Sequence, residues 1–422
     1  MVLRVWALAL VLLSAFVSAA AAQDQPRVIR AHSKVVSIID GHHEKKGYWY
    51  VMAERTPDVY YVELPRAPHP VTFVTDLESI SFAVSYGSRH RFVILLDDGT
   101  QALTEVRAEY RQLFPYRRAS ARAAGEPALI PFTLGDNDKI YVKGTINGSA
   151  PLDFQVDLGA GGTMIKKAST SRATMTFDES ITLRNSDGEH RVPSSSRNTI
   201  EIAGLLWNDV PIAVADNMTR REDAIVGNTL FQDAVLEIDF DRMVLAVHAS
   251  LPHRSGWHRV DMFLDGVIPS IRGTLEFDGQ TQAGWFLLDT GAYTSILRHQ
   301  RLSSRSKFGG EFRRLVGPLG GDVRGPVVSF GGQTFSGINY AVNRSDGDPS
   351  DLGVLGNDVL KRMNMVVDNR LGAVYLQPSG RMHEGFRNPE RLVVRAVLGA
   401  AIIGAAFVAY RRRRARAFSI PT

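Results

Sequence analysis

The sequence predicts an all-β chain: two tandem β lobes of shared design, a small β domain before them, and one C-terminal transmembrane helix. Three observations predict it. From residue 138 the chain repeats itself at long period. Most of its length runs in short apolar or alternating stretches broken by Gly, Pro, Asp and Asn. Near the C-terminus, one apolar run of 19 residues, Leu392 to Tyr410, ends on four arginines.

At 422 residues the chain exceeds one ordinary core and fits two or three domains. Residues 1–22, "MVLRVWALALVLLSAFVSAAAA", place one arginine before an apolar run and then small residues, the grammar of a secretory signal peptide. Residues 23–120 form the first β domain: "VIRAHSKVVSII", "VTFVT", "SISFAVSY" and "RFVILLDD" are rich in Val, Ile and Phe and separated by turn residues. "EVRAEYRQLF" reads as a final strand or a short helix. Residues 115–127 lose periodicity and read as a linker. His42 and His43 are adjacent, so on a strand they point to opposite faces, which suits a solvated turn better than a metal site.

The lobes span 130–250 and 263–379, joined by "SLPHRSGWHRVDMF". One opens "DKIYVKGTINGSAPLDFQVDLGAGGTMI", the other "IRGTLEFDGQTQAGWFLLDTGAYTSIL". Each then reaches a glycine after an apolar run, in "AIVGNTLF" and "GVLGNDVL". Asp157 precedes Gly227 by 70 residues and Asp289 precedes Gly356 by 67, so two landmarks keep nearly one spacing.

Residues 392–410 measure about 28 Å as a helix, the depth of a hydrocarbon core, and Arg395 lies near enough to one end to snorkel. Arg411 to Arg414 open the basic tail, 411–422, and mark its side as cytoplasmic. The expectation is a single-pass membrane protein whose body is periplasmic or extracellular. Ala396, Ala400 and Gly404 make a small-residue stripe suited to pairing two such helices in a homodimer. Net charge is +5, and Arg411–Arg414 with Arg416 supply five positive charges. The basicity therefore belongs to membrane topology and implies no nucleic-acid partner. With no cysteine, disulfides, thiolate metal sites and cysteine nucleophiles are excluded.

Two carboxylates brought close together cannot both ionise cheaply, so they share a proton and titrate as a pair. Such a pair can activate a water held between them and polarise a carbonyl, with no cofactor, metal or side-chain nucleophile. Glycine after each acid lets two loops approach backbone to backbone.

"LLDTGAYTSIL" resembles the active-site motif of aspartic proteases, and "GVLGNDVL" is similar to their second signature. The resemblance covers both lobes, about 240 residues, and implies retropepsin-like acid-protease lobes duplicated in tandem and arranged in the pepsin manner. It implies Asp289 and Asp157 as the catalytic pair, with Thr290, Gly291 and Gly159 supporting the loops. Leu158 departs from the pattern, standing where the family has a hydroxyl that hydrogen-bonds across the lobes. Residues 183–196 and 315–328 hold the places of mobile covering hairpins, and their composition suits ordinary exposed turns as well. The function implied is a membrane-anchored endopeptidase acting on exported or envelope polypeptides. The alternative is an inactive or weak homologue whose interlobe cleft binds a peptide or scaffolds a partner. A third reading makes Asp289 half of a dyad formed between two chains.

Overall fold

The structure is a computed structural model that describes residues 26–385 apart from 42, 64–67, 110–113, 120–124, 136, 186–187, 217, 219–220, 266, 278, 299–324, 339 and 343–349. The chain divides into two compact units, residues 1–109 and 110–422. Residues 1–22 and 392–410, where the sequence places the signal peptide and membrane span, lie outside the described residues. So do His42 and most of 315–328. No helix among the described residues is long and apolar enough to cross a membrane.

The first unit is a sandwich of two four-stranded sheets around one core. One sheet is ordered β1 (Arg27–Ala31), β7 (Arg89–Leu96), β8 (Gln101–Arg107), β4 (Asp58–Tyr61); the other is β3 (His43–Tyr50), β2 (Val35–Asp40), β5 (His69–Val74), β6 (Ser79–Val84). Alternation builds it: along β6, Ile80, Phe82 and Val84 are buried while Ser79, Ser81 and Ala83 are exposed. Phe73 and Phe92 meet from opposite sheets with ring centroids 4.9 Å apart. Asp40 is buried among them, and its charge is answered by Tyr60 Oη at 2.7 Å, the Glu63 N–H at 2.8 Å and His69 Nε2 at 2.6 Å.

The second unit is nearly all β and is built twice over. Its first half contains β9 (Tyr116–Arg118), β10 (Ala128–Pro131), β11 (Thr133–Leu134), β12 (Ile140–Ile146), β13 (Leu152–Asp157) and β14 (Thr163–Lys166). These are followed by β15 (Glu179–Asn185), β16 (Gly188–Ser195), β17 (Ile200–Ile202), β18 (Leu205–Trp207), β19 (Ile212–Ala215) and β20 (Ala224–Gly227). The hairpin β21 (Val235–Asp239) and β22 (Val244–His248) ends it. In the second half, β23 (His258–Asp265), β24 (Ile268–Phe277), β25 (Gln280–Leu288) and β26 (Ser295–Leu297) precede β27 (Val327–Phe330), β28 (Gln333–Phe335) and β29 (Tyr340–Val342). It closes with β30 (Asp351–Leu355), a short helix α1 (Asn357–Leu360), β31 (Met363–Asp368) and β32 (Ala373–Pro378).

The pairings of the halves correspond. β20 lies parallel to β13 and antiparallel to β14; β30 lies parallel to β25 and antiparallel to β26. Each aspartate thus sits where a strand stops against a parallel neighbour, and the chain turns away there before returning as the next strand. The halves join through a six-stranded antiparallel sheet ordered β10, β22, β21, β31, β32, β23, in which Val235 faces Asp368 across the seam. β23 pairs β32 over His258–Asp261 and β24 over Met262–Asp265, so one strand does the work that β10 and β11 share in the first half.

Two expectations change. Part of the 115–127 segment, read as a linker, is β9, which hydrogen-bonds to β18 with Tyr116 opposite Trp207. Its polar, Arg-rich composition hides the pairing because a three-residue edge strand needs no alternating face. The joining segment 250–263 likewise becomes strand from His258 onward. "EVRAEYRQLF" resolves in favour of a strand over its first residues, since β8 continues to Arg107.

Candidate active site

Asp157 closes β13 and pairs with Gly227 of β20; Asp289 follows β25 and its N–H donates to Leu355 O of β30 at 3.0 Å. The parallel neighbour ends in glycine for a steric reason. A Cβ on Gly227 would lie 2.3 Å from Ala160 O, and one on Gly356 would lie 2.9 Å from the Thr294 carbonyl carbon. Each signature glycine therefore makes room for the loop that carries the acid.

The two loops meet face to face. A Cβ on Gly291 would stand 2.1 Å from Asp157 Oδ2, and a Cβ on Gly159 would stand 2.5 Å from Asp289 Cγ. Only hydrogen fits at either position, so each carboxyl group rests on the glycine of the opposite loop. The two carboxyl groups are near enough that each shifts the titration of the other. Backbone donors fix both: the Gly159 N–H donates to Asp157 Oδ1 at 2.8 Å, while the Gly291 and Ala292 N–H groups donate to Asp289 Oδ1 at 2.9 and 2.8 Å.

Thr290 ties the loops together. It is fully buried, donates its hydroxyl to Val156 O at 2.9 Å and accepts the Leu158 N–H at 2.9 Å. Leu158, its counterpart, is fully buried as well and fills its place with apolar surface. The tie is thus one-sided: one hydroxyl with two bonds spans the lobes, and burial of an aliphatic side chain, about 1.5 to 3 kcal/mol, stands where a second hydroxyl would be.

The second loop is braced further by α1. Asn357 donates Nδ2 to Thr290 O at 2.7 Å and its N–H to Ala292 O at 2.9 Å. Asp358 accepts the Ser295 N–H and hydroxyl at 3.1 and 2.6 Å, and Ser295 Oγ accepts the Gly356 N–H at 3.1 Å. Burial pushes the Asp358 carboxyl up to about 6. In the first half Asn228 holds the place of Asn357, but its Nδ2 bonds Val267 O at 2.8 Å and Asn369 Oδ1 at 3.1 Å, across the lobe boundary.

Burial raises both acids above the ordinary carboxylate range. For Asp157, burial and then the neighbouring Asp289 charge push the carboxyl up to about 8. Asp289 is likewise raised by burial, an effect that its two backbone donors oppose. The pair titrates as a unit, and the second backbone donor on Asp289 favours negative charge on that side.

Asp157, Asp289, Thr290, Gly291 and Gly159, singled out from the sequence, are thus brought to one place. Lys139, Gln155 and Glu222 beside Asp157, and Asn357 beneath Thr290, were not singled out. Gln155 carried a signal: it is the one neutral polar residue in "LDFQVD" and shares a strand face with Asp157 two positions on. Lys139 and Glu222 carried none, being ordinary charges 83 residues apart. The predicted hairpin in the first half is formed by β15 and β16. Among the described residues, no cluster of His, Asp or Glu is arranged to hold a metal.

Comparison with known proteins gives three findings. Residues 142–230, including Asp157 and Gly227, match the family model described as aspartyl protease. No curated protein matches the chain. Among solved structures, the aspartic proteinase from Irpex lacteus is similar at 10% identity and a TM-score of 0.46, over 62% of this chain and all of that one.

Proposed function

We propose, from the assignment of this chain to the aspartic protease family, that it is a membrane-anchored endopeptidase cutting exported or envelope polypeptides. The observation that carries the reading is the contact of each loop glycine with the opposite carboxyl, which sets Asp157 and Asp289 side by side within one chain. In the mechanism, Asp289 as carboxylate takes a proton from water while the water oxygen bonds to the scissile carbonyl carbon. Asp157 donates its proton to the carbonyl oxygen, giving a neutral tetrahedral diol. The C–N bond then breaks as Asp289 returns its proton to the departing nitrogen and one hydroxyl proton goes back to Asp157. The pair is restored with one proton. Leu158 motivates the second reading, in which the cleft binds a peptide without cutting it. Anchoring rests on 392–410 and the arginines after it, and export on residues 1–22.

The test is cleavage of an unbiased peptide library by the full chain in membranes from about pH 3 to 9. Cutting at internal bonds is expected, with a bell-shaped rate. Rate falls in acid as Asp289 gains a second proton and falls above about pH 8 as Asp157 loses the shared one. Folded protein that cuts nothing across this range overturns the proteolytic reading in favour of peptide binding.

A further inference from the structure

Beside Asp157 lies a buried polar chain that the water-activating pair does not itself require. Lys139 Nζ donates to Glu222 Oε1 at 3.0 Å and to Gln155 Oε1 at 3.2 Å, and Gln155 Nε2 donates to Asp157 Oδ2 at 3.4 Å. Gln155 and Glu222 are each 1% exposed. Lys139 forces the amide orientation: an ammonium only donates, so Gln155 turns its oxygen to Lys139 and is left with its nitrogen toward Asp157. The turn bearing Lys139 is pinned from the other half, for Asp138, at a φ of 57°, pairs through Oδ2 with Lys361 Nζ at 2.7 Å, and Lys361 also meets Glu384 at 3.1 Å. Packing alone demands no charge here. By strand register, Leu287 and Ile268 hold the places of Gln155 and Lys139 beside Asp289. A buried ion pair is a poor source of stability compared with such apolar residues.

We propose that Lys139 is a positioning residue of the pair, a cation anchored by Glu222 that orients Asp157 through Gln155 and sets how tightly the two acids hold their proton. It breaks the symmetry of the two halves, since among the described residues only the Asp157 side has a cation wired to it. Among the described residues, the charged groups facing the pair are Lys139, from the turn before β12, and behind it Glu222, from the segment before β20. The Lys139 charge lowers the proton affinity of both acids. One Glu222 oxygen, Oε2, is buried with no partner among the described residues, so Glu222 has no second cation to neutralise it there.

This rests on the proteolytic reading for its kinetic consequence only, and its test has a separate readout. In the full chain carrying carboxyl-¹³C aspartate, the resonances of Asp157 and Asp289 are assigned with Asp157→Asn and Asp289→Asn and titrated. Lys139→Met is expected to raise the titration midpoints by about 0.5 pH unit or more, Lys139→Arg to restore them, and Glu222→Gln to lower them. Opposite signs at two neighbouring sites, Glu222 buried and Lys139 partly buried, are not what a merely structural role produces. They also keep the test decisive if Lys139→Met does not fold. Midpoints that stay put in the folded variants overturn the proposal. If midpoints move but no form cleaves peptide, the proteolytic reading fails and the assignment of Lys139 stands. If the wild type cleaves, the limbs of its pH–rate profile shift with the midpoints.

Discussion

Gly291→Ala is expected to lower kcat/KM for peptide cleavage at least about 100-fold while leaving the first β domain untouched. The new methyl would be placed 2.1 Å from Asp157 Oδ2 and 2.4 Å from its Cγ. Carbon and oxygen approach comfortably only at roughly 3.2 Å or more. The Asp157 carboxyl, or the loop that carries Ala, must therefore shift by about 1 Å, and a shift of that size at reacting groups costs about 100-fold. Neither Gly159 nor Gly291 has a positive φ, so the effect is one of space and not of backbone strain. Gly159→Ala should act alike from the other side, against Asp289. A steady-state assay on both variants checks this, and an alanine enzyme of near-normal rate means that the carboxyl groups are not held against these glycines.

Thr290→Val carries the second large effect. Valine matches the shape of threonine but leaves Val156 O and the Leu158 N–H, both enclosed, without the partner they now have. At about 1 to 3 kcal/mol for each of these two groups left unsatisfied, the expected loss is about 2 to 6 kcal/mol from the second unit. Because Leu158 supplies no reciprocal hydroxyl, nothing in the opposite loop shares the load. Thr290→Ser keeps both bonds and should stay within about 1 kcal/mol of wild type. Urea unfolding of the two variants measures the difference. A valine variant as stable as the serine one means that this hydroxyl does not hold the lobes together.

What could be read from the residues was whatever repeats or alternates locally. "LDFQVDLG" and "GWFLLDTG" announce strands that end in an acid, and the spacing to Gly227 and Gly356 announces the strand each must meet, because a parallel partner has to stop at the same level. What could not be read depends on pairings that leave no local trace. Thr290 reaches Val156 across 134 positions and Lys361 reaches Asp138 across 223. Leu158 shows the same boundary from the other side: a leucine in a polar motif reveals that a hydroxyl is missing, but only the fold shows that the remaining threonine makes both bonds. β9 was hidden because its pairing with β18 is made by backbone, under side chains of no distinctive pattern.

The central claim is that Asp157 and Asp289 of a single chain make one catalytic pair. The most direct test is peptide cleavage by Asp157→Asn, by Asp289→Asn, and by the two variants mixed in one membrane, beside wild type. The account predicts an active wild type and loss of cleavage by at least about 1,000-fold in each variant and in the mixture, because neither chain holds two acids. Asp157→Asn that still cleaves, or a mixture that regains activity, would contradict it and place the working pair between chains.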